Sequence, residues 1–237
     1  MAEQLDKNIA LCYSGQIRNF KECFETHLKH ILQANPSYKF YLFFHAWSDI
    51  NLEGEKYWNE YEERDSWKIQ NTLDVFNINP DSMMIEKPID FKSNLVPDPR
   101  FPHPINNTLS MFYSIQASNS LRANFCQLRN IKMDWCLRLR TDLYFLKDLK
   151  FNEFKNNDLH INDQYVHTPY AINDLFSFGG PEIMDAYSCT FSSINQLVEN
   201  NCAINPECFL GYNVAARNIP TKRLFLQNNI YKLYRDL

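Results

Sequence analysis

Glycine is scarce in this chain, with five in 237 residues, at Gly15, Gly54, Gly179, Gly180 and Gly211. Neither G-x-G-x-x-G nor the Walker spacing occurs, which excludes the usual glycine-rich phosphate cradles. Each glycine instead marks a backbone that needs an unusual conformation or a close approach. Positive charge is short too: 24 Lys and Arg against 28 Asp and Glu give a formal net charge of -4 and a pI near 5.9. That excludes an extended nucleic-acid footprint, whereas a small phosphorylated ligand needs only a local basic cluster. No cysteine pair has C-x-x-C spacing, and the total of seven is odd (Cys12, Cys23, Cys126, Cys136, Cys189, Cys202, Cys208). The pattern is neither a zinc site nor a disulfide framework, and a reducing compartment is expected. No apolar run approaches the roughly 18 residues of a membrane span, and residues 1–7 lack the apolar core of a signal peptide.

What the chain does have is apolar and aromatic side chains, at 45% and 15%. That is the composition of a globular protein, and the length suits one large domain over 1–237. The expected location is cytoplasmic, with a peripheral membrane contact through the aromatics left open.

The most informative stretch is 134–145. Trp135, Leu137 and Leu139 alternate with Cys136, Arg138 and Arg140, the period of a strand, which then runs into Thr141 and Asp142. In open α/β sheets the carboxyl ends of strands form the ligand crevice, so two arginines and an aspartate there suit a polyphosphate and its metal. The same residues also suit a half-buried edge strand with a solvated face.

Upstream, the apolar run 9–13 breaks at Ser14-Gly15-Gln16, with Arg18 just beyond. An amphipathic helix then carries Phe20, Phe24, Leu28, Ile31 and Leu32. A strand, a glycine turn and a helix open a nucleotide-binding α/β unit, or form an ordinary turn of the same kind. A second strand over 39–44 ends in His45-Ala-Trp-Ser-Asp49. Further expectations are an acidic, aromatic stretch over 53–65 that forms a solvated loop or a helix turn, a short helix over 67–76 and a third strand over 83–87. The stretch 88–104, with five prolines, reads as an irregular connection, either a lid or a surface crossing. Asn107 or Thr108 then caps a helix through Leu128, with Tyr113 and Gln116 on its flank. Short strands are expected at 159–161 and 165–168 and an apolar stretch at 172–178, followed by one helix from Pro181 through Val198. A last helix has Asn205 as cap, Pro206 at its first position, and Phe209, Leu210, Val214 and Ala215 inward. The aromatic stretch 224–237 either lies over the sheet or meets a partner.

Ile9-Ala-Leu-Cys-Tyr-Ser-Gly-Gln-Ile-Arg18, Phe44-His-Ala-Trp47, Leu137-Arg-Leu-Arg-Thr-Asp142, Asn173-Asp-Leu-Phe-Ser-Phe-Gly179 and Pro206-Glu207 occur in one order across most of the chain. In that order the chain resembles nucleotide-sugar glycosyltransferases of the GT-A fold, in particular the WavE-like lipopolysaccharide-synthesis family and its bacterial and giant-virus relatives. The resemblance implies a Rossmann-like mixed sheet between helices, and a UDP- or GDP-sugar donor at the carboxyl ends of the N-terminal strands. A glycan or lipid-linked saccharide would be the acceptor. Ser14, Gly15, Arg18, His45, Arg138, Arg140 and Asp142 would then hold the donor, with Gly15 admitting the nucleotide and Arg18 meeting phosphate or base. Asp142 occupies the place of the Asp-x-Asp motif that binds Mg²⁺ or Mn²⁺ on the diphosphate. The chain departs from that motif: position 140 is arginine and position 144 tyrosine. Arg138 or Arg140 is then placed to take over part of the metal's work by bidentate contact with phosphate.

Asp174 and Glu207 are the candidate acceptor-side carboxylates, since transfer needs a group to take the acceptor's proton. Asp174 also fits a local Asx turn, and Glu207 also fits the first turn of a helix on electrostatic grounds alone. Two other functions share these features, a sugar nucleotidyltransferase and a non-catalytic nucleotide-sugar or glycan-binding module.

Overall fold

The computed structural model describes residues 7–47, 83–97, 99–100, 104–162, 171–224 and 230–234. Strands β1 (Lys7–Gln16) and β2 (Tyr38–Trp47) pair in parallel over ten positions, from Lys7↔Tyr38 to Gln16↔Trp47. Both outrun their apolar segments. β1 continues through Ser14 and Gly15, and His45 lies inside β2 rather than beyond its end. β3 (Met83–Glu86) adds to β2, and β4 (Trp135–Leu139) adds to β1, all parallel. β7 (Phe176–Gly179) then pairs antiparallel with β4, β6 (Leu159–Asn162) antiparallel with β7, and β8 (Thr221–Leu224) parallel with β6. The result is one mixed seven-stranded sheet, β3-β2-β1-β4-β7-β6-β8.

β4 is therefore central, and all five of its residues are buried. The edge-strand reading fails because apolar layers cover both faces. Ile9, Leu11, Tyr13, Leu137, Leu139, Phe176 and Phe178 feed one layer, while Ala10, Cys12, Phe43, Cys136 and Ile161 feed the other. The period of two, usually a sign of one wet face, here divides side chains between two dry ones.

The first layer is closed by α1 (Phe20–His27), which ends in a π-helical turn, Leu28–Leu32, sealed by Gln33 N donating to Leu28 O at 2.9 Å. A two-stranded sheet, β5 (Leu143–Phe145) against β9 (Tyr231–Leu233), completes it. The aromatics near the end of the chain thus pair within it. The second layer is closed by α2 (Ile105–Arg129), α3 (Pro181–Ser188), α4 (Thr190–Glu199) and α5 (Pro206–Ala216).

Three details differ from expectation. α2 starts at Ile105, with Pro104 turning the chain and Asn107 and Thr108 already in the first turn, so neither caps it. The helix expected from 181 to 198 breaks at Cys189, where side chains compete for backbone carbonyls: Thr190 Oγ1 donates to Tyr187 O at 2.8 Å and Ser193 Oγ to Cys189 O at 3.3 Å. Ala215 is exposed, although Phe209, Leu210 and Val214 point inward as expected. Asn205 does cap α5, its Oδ1 accepting from Glu207 N at 3.0 Å and Cys208 N at 3.2 Å. The stretches 48–82 and 165–168, which hold the expected acidic loop, the short helix, Ser48-Asp49 and one short strand, lie outside the described residues. Among the described residues no helix is long and apolar enough to cross a membrane, and the seven cysteines are free thiols.

Candidate functional site

The carboxyl ends of β1, β2 and β4 meet at one end of the sheet. Ser14 is the register partner of His45, and Gly15 that of Ala46. Gly15 has φ +110°, and a Cβ built there would meet nothing within 4 Å. The backbone conformation demands glycine, and the space beside it is open. Two hydrogen bonds then stitch the turn after β1 to the turn after β4. Arg18 N donates to Thr141 Oγ1 at 3.2 Å, and Thr141 Oγ1 donates to Gln16 O at 2.6 Å.

The charged groups sit on this stitch. Arg140 donates Nε to Asp142 Oδ1 at 2.8 Å and Nη2 to Oδ2 at 2.6 Å, a bidentate pair between residues two apart. Arg18 Nη1 stands 3.8 Å from Asp142 Oδ2, while its Nε and Nη2 donate to Gln16 Oε1 at 3.1 and 2.6 Å. Burial alone would push the Asp142 carboxyl up, but the guanidinium of Arg140, with Arg18 behind it, holds it below the ordinary carboxylate range at about 2. It is ionised at any physiological pH.

Arg138 lies deeper. It is 2% exposed, donates Nη1 to Leu175 O, and its Nε has no hydrogen-bond partner. Burial lowers its pKa, and the negative charges of Asp174 and Asp142 oppose that. The Ser14 hydroxyl is likewise buried without a partner.

Asp174 is half-buried beside this cation. The Asx turn belongs to its neighbour: Asn173 Oδ1 accepts from Leu175 N at 2.9 Å. Glu207 reaches the same place through the backbone, its carbonyl accepting from Ile172 N at 3.1 Å. The start of β7 and the start of α5 are thereby fastened side by side.

His45 is fully buried, its Nδ1 2.7 Å from Ser114 Oγ and its Nε2 2.8 Å from Glu86 Oε2, which also accepts from Tyr113 OH at 3.0 Å. Burial pushes the imidazole pKa down, and Glu86 opposes the shift. The ring is a strut between β2, β3 and α2.

A divalent ion would need several hard donors together, and the described residues around Asp142 do not fit it. Both Asp142 oxygens already accept from Arg140, and among the described residues no group of three or more His, Cys, Asp or Glu side chains gathers that could hold a metal.

No family model matches the chain, and no curated protein matches it either.

Of the residues expected at the site, Ser14, Gly15, Arg18, His45, Arg138, Arg140, Asp142, Asp174 and Glu207 all fall at one end of the sheet. Gly179, which ends the motif that begins at Asn173, and its neighbour Gly180 lie elsewhere. β7 runs antiparallel to β4, with Phe176 opposite Leu139 and Gly179 opposite Cys136, so the glycines lie at the far end. Their scarcity value is structural, since a Cβ on Gly180 would come within 2.6 Å of Asn156 O. Gln116 is also absent from the crevice; its Oε1 accepts from Ser192 and ties α2 to α4. Sequence reasoning missed Gln16, Thr141, Glu86 and Ser114. The first two flank residues already singled out, and the polar side chains beside a strand end were the available signal. Glu86 and Ser114 are brought in by β2–β3 pairing and α2 packing, which no spacing discloses.

Proposed function

We propose that this protein is a glycosyltransferase of GT-A-like architecture that moves a sugar from a nucleotide-diphosphate donor to a glycan or lipid-linked saccharide. The observation that carries the reading is the Arg18–Asp142–Arg140 cluster at the carboxyl ends of two adjacent parallel strands, where an open α/β sheet places its ligand. The mixed sheet supports it, with its parallel N-terminal strands and the chain reversing at β4–β7 beside the cluster.

In this reading the donor's diphosphate lies over Arg18 and Arg140, and the open space at Gly15 admits the nucleotide. The acceptor hydroxyl forms the new bond to the anomeric carbon as the bond to the diphosphate breaks. Its proton passes to the Asp174 carboxylate, which is half-buried and close to Arg138, with Glu207 on the same side. Guanidinium groups fixed in advance meet the charge that develops on the leaving diphosphate.

The test is a thermal-shift screen of UDP-, GDP- and CDP-sugars, followed by an assay for release of the matching nucleoside diphosphate. The reading expects one nucleotide family to stabilise the fold, since a ligand at a hundred times its Kd adds about 2.7 kcal/mol. Stabilisation by saccharides alone would replace it with a glycan-binding module.

A further inference from the structure

We propose that Asp142 is an anchor for cations rather than a metal ligand, and that Arg18 and Arg140, held on it, take the donor's diphosphate in place of a divalent ion. The inference rests on the transferase reading. Its ground is the layering of the cluster. The Asp142 side chain is 6% exposed, whereas those of Arg18 and Arg140 reach solvent at 13% and 23%. The carboxylate is underneath and the guanidinium groups are on top, so an arriving ligand meets cations first.

The contacts on the carboxylate point the same way. Arg140 spans both oxygens at 2.8 and 2.6 Å, in the planar fork that lysine cannot reproduce. A divalent ion on those oxygens would sit against the guanidinium, cation beside cation, where little water screens the repulsion. Among the described residues Arg18, Arg138 and Arg140 stand near Asp142 and Asp174, and a diphosphate brings anionic acceptor oxygens suited to guanidinium groups. Asp142 keeps the like-charged arginines together before the donor arrives.

The experiment titrates UDP, GDP, CDP and ADP calorimetrically into the full chain, first in EDTA and then in Mn²⁺. The expected result is that one of them binds in EDTA with a Kd within about threefold of that in Mn²⁺. Arg140→Lys and, separately, Arg18→Gln should each weaken that binding roughly tenfold or more, the loss of a charge-assisted hydrogen bond. Melting of each ligand-free variant shows whether it is folded, and the two substitutions lie on different elements, so one misfolded variant leaves the other decisive. Binding that appears only with Mn²⁺ overturns the arginine clamp and leaves the transferase reading standing. Folded variants that bind in EDTA as tightly as the natural chain overturn the clamp as well. No binding by any nucleotide in either condition removes the transferase reading itself.

Discussion

Arg140 and Asp142 face each other across a single threonine, with both carboxylate oxygens accepting from one guanidinium. A strand would send residues two apart to the same side, but β4 ends at Leu139 and the turn through Thr141 brings the two heads together. Where the resemblance to GT-A enzymes implies two aspartates, the chain carries an ion pair.

That pair makes stability depend on acid. The folded-state pKa of Asp142 is depressed, so its contribution is complete above the unfolded value near 4 and is lost as pH falls towards about 2. About 2 kcal/mol should disappear across that window. In urea titrations at stepped pH, Asp142→Asn should be less stable at neutral pH and should lack this part of the slope.

His27 gives a second, separate window. Its Nε2 lies 2.6 Å from Leu143 O, a pure acceptor, so Nε2 carries the proton and Nδ1 accepts from Tyr13 OH at 2.9 Å. Burial pushes the imidazole down to about 4, so the unfolded chain binds the proton first. Stability is full above about pH 6.5 and falls by about 3 kcal/mol between there and pH 4. His27→Gln should flatten the profile in that range, and an unchanged slope would refute the assignment.

Gly15→Ala should cost about 1–2 kcal/mol although nothing lies within 4 Å of the added methyl, because φ +110° strains any L side chain. Gly15→Val should cost more, its branched Cβ fitting that backbone less well. Chemical denaturation of the three proteins orders them.

Gly180→Ala should destabilise by about 1–3 kcal/mol through collision with the Asn156 carbonyl. Its ligand affinity should match that of the natural chain, as Gly180 lies at the opposite end of the sheet from Asp142. A selective loss of nucleotide binding in a folded variant would contradict that placement.

In the transferase reading, Asp174→Asn tests the acceptor side. The carboxylate is half-buried and lies off the apolar layers, so melting should move little. Turnover should fall by about 10² or more with donor affinity retained. Equal losses in affinity and turnover would reassign Asp174 to the donor.

Much of this arrangement was legible in the sequence. β1, α1, β3, β4 and β6 sit where apolar periodicity put them, and the Asn205-Pro206 start of α5 was plain because capping chemistry is local. Nine expected site residues share one end of the sheet because strand ends collect polar groups. Direction was not legible. β7 turns back beside β4, and that reversal separates Asn173-Asp174 from Gly179-Gly180 by the strand's length although only four residues lie between them. Nor was the pairing of Arg140 with Asp142, since two residues apart in a turn and two apart in a strand read alike.

The small sheet of β5 and β9 gives the chain an order of assembly. Tyr234 N donates to Asp142 O at 2.9 Å, and β9 lies along β5 directly after that aspartate. During synthesis Arg18, Arg140 and Asp142 leave the ribosome long before residues 231–234 do. The segment that braces the Asp142 backbone is thus among the last described parts to arrive, and that brace closes only once it has emerged.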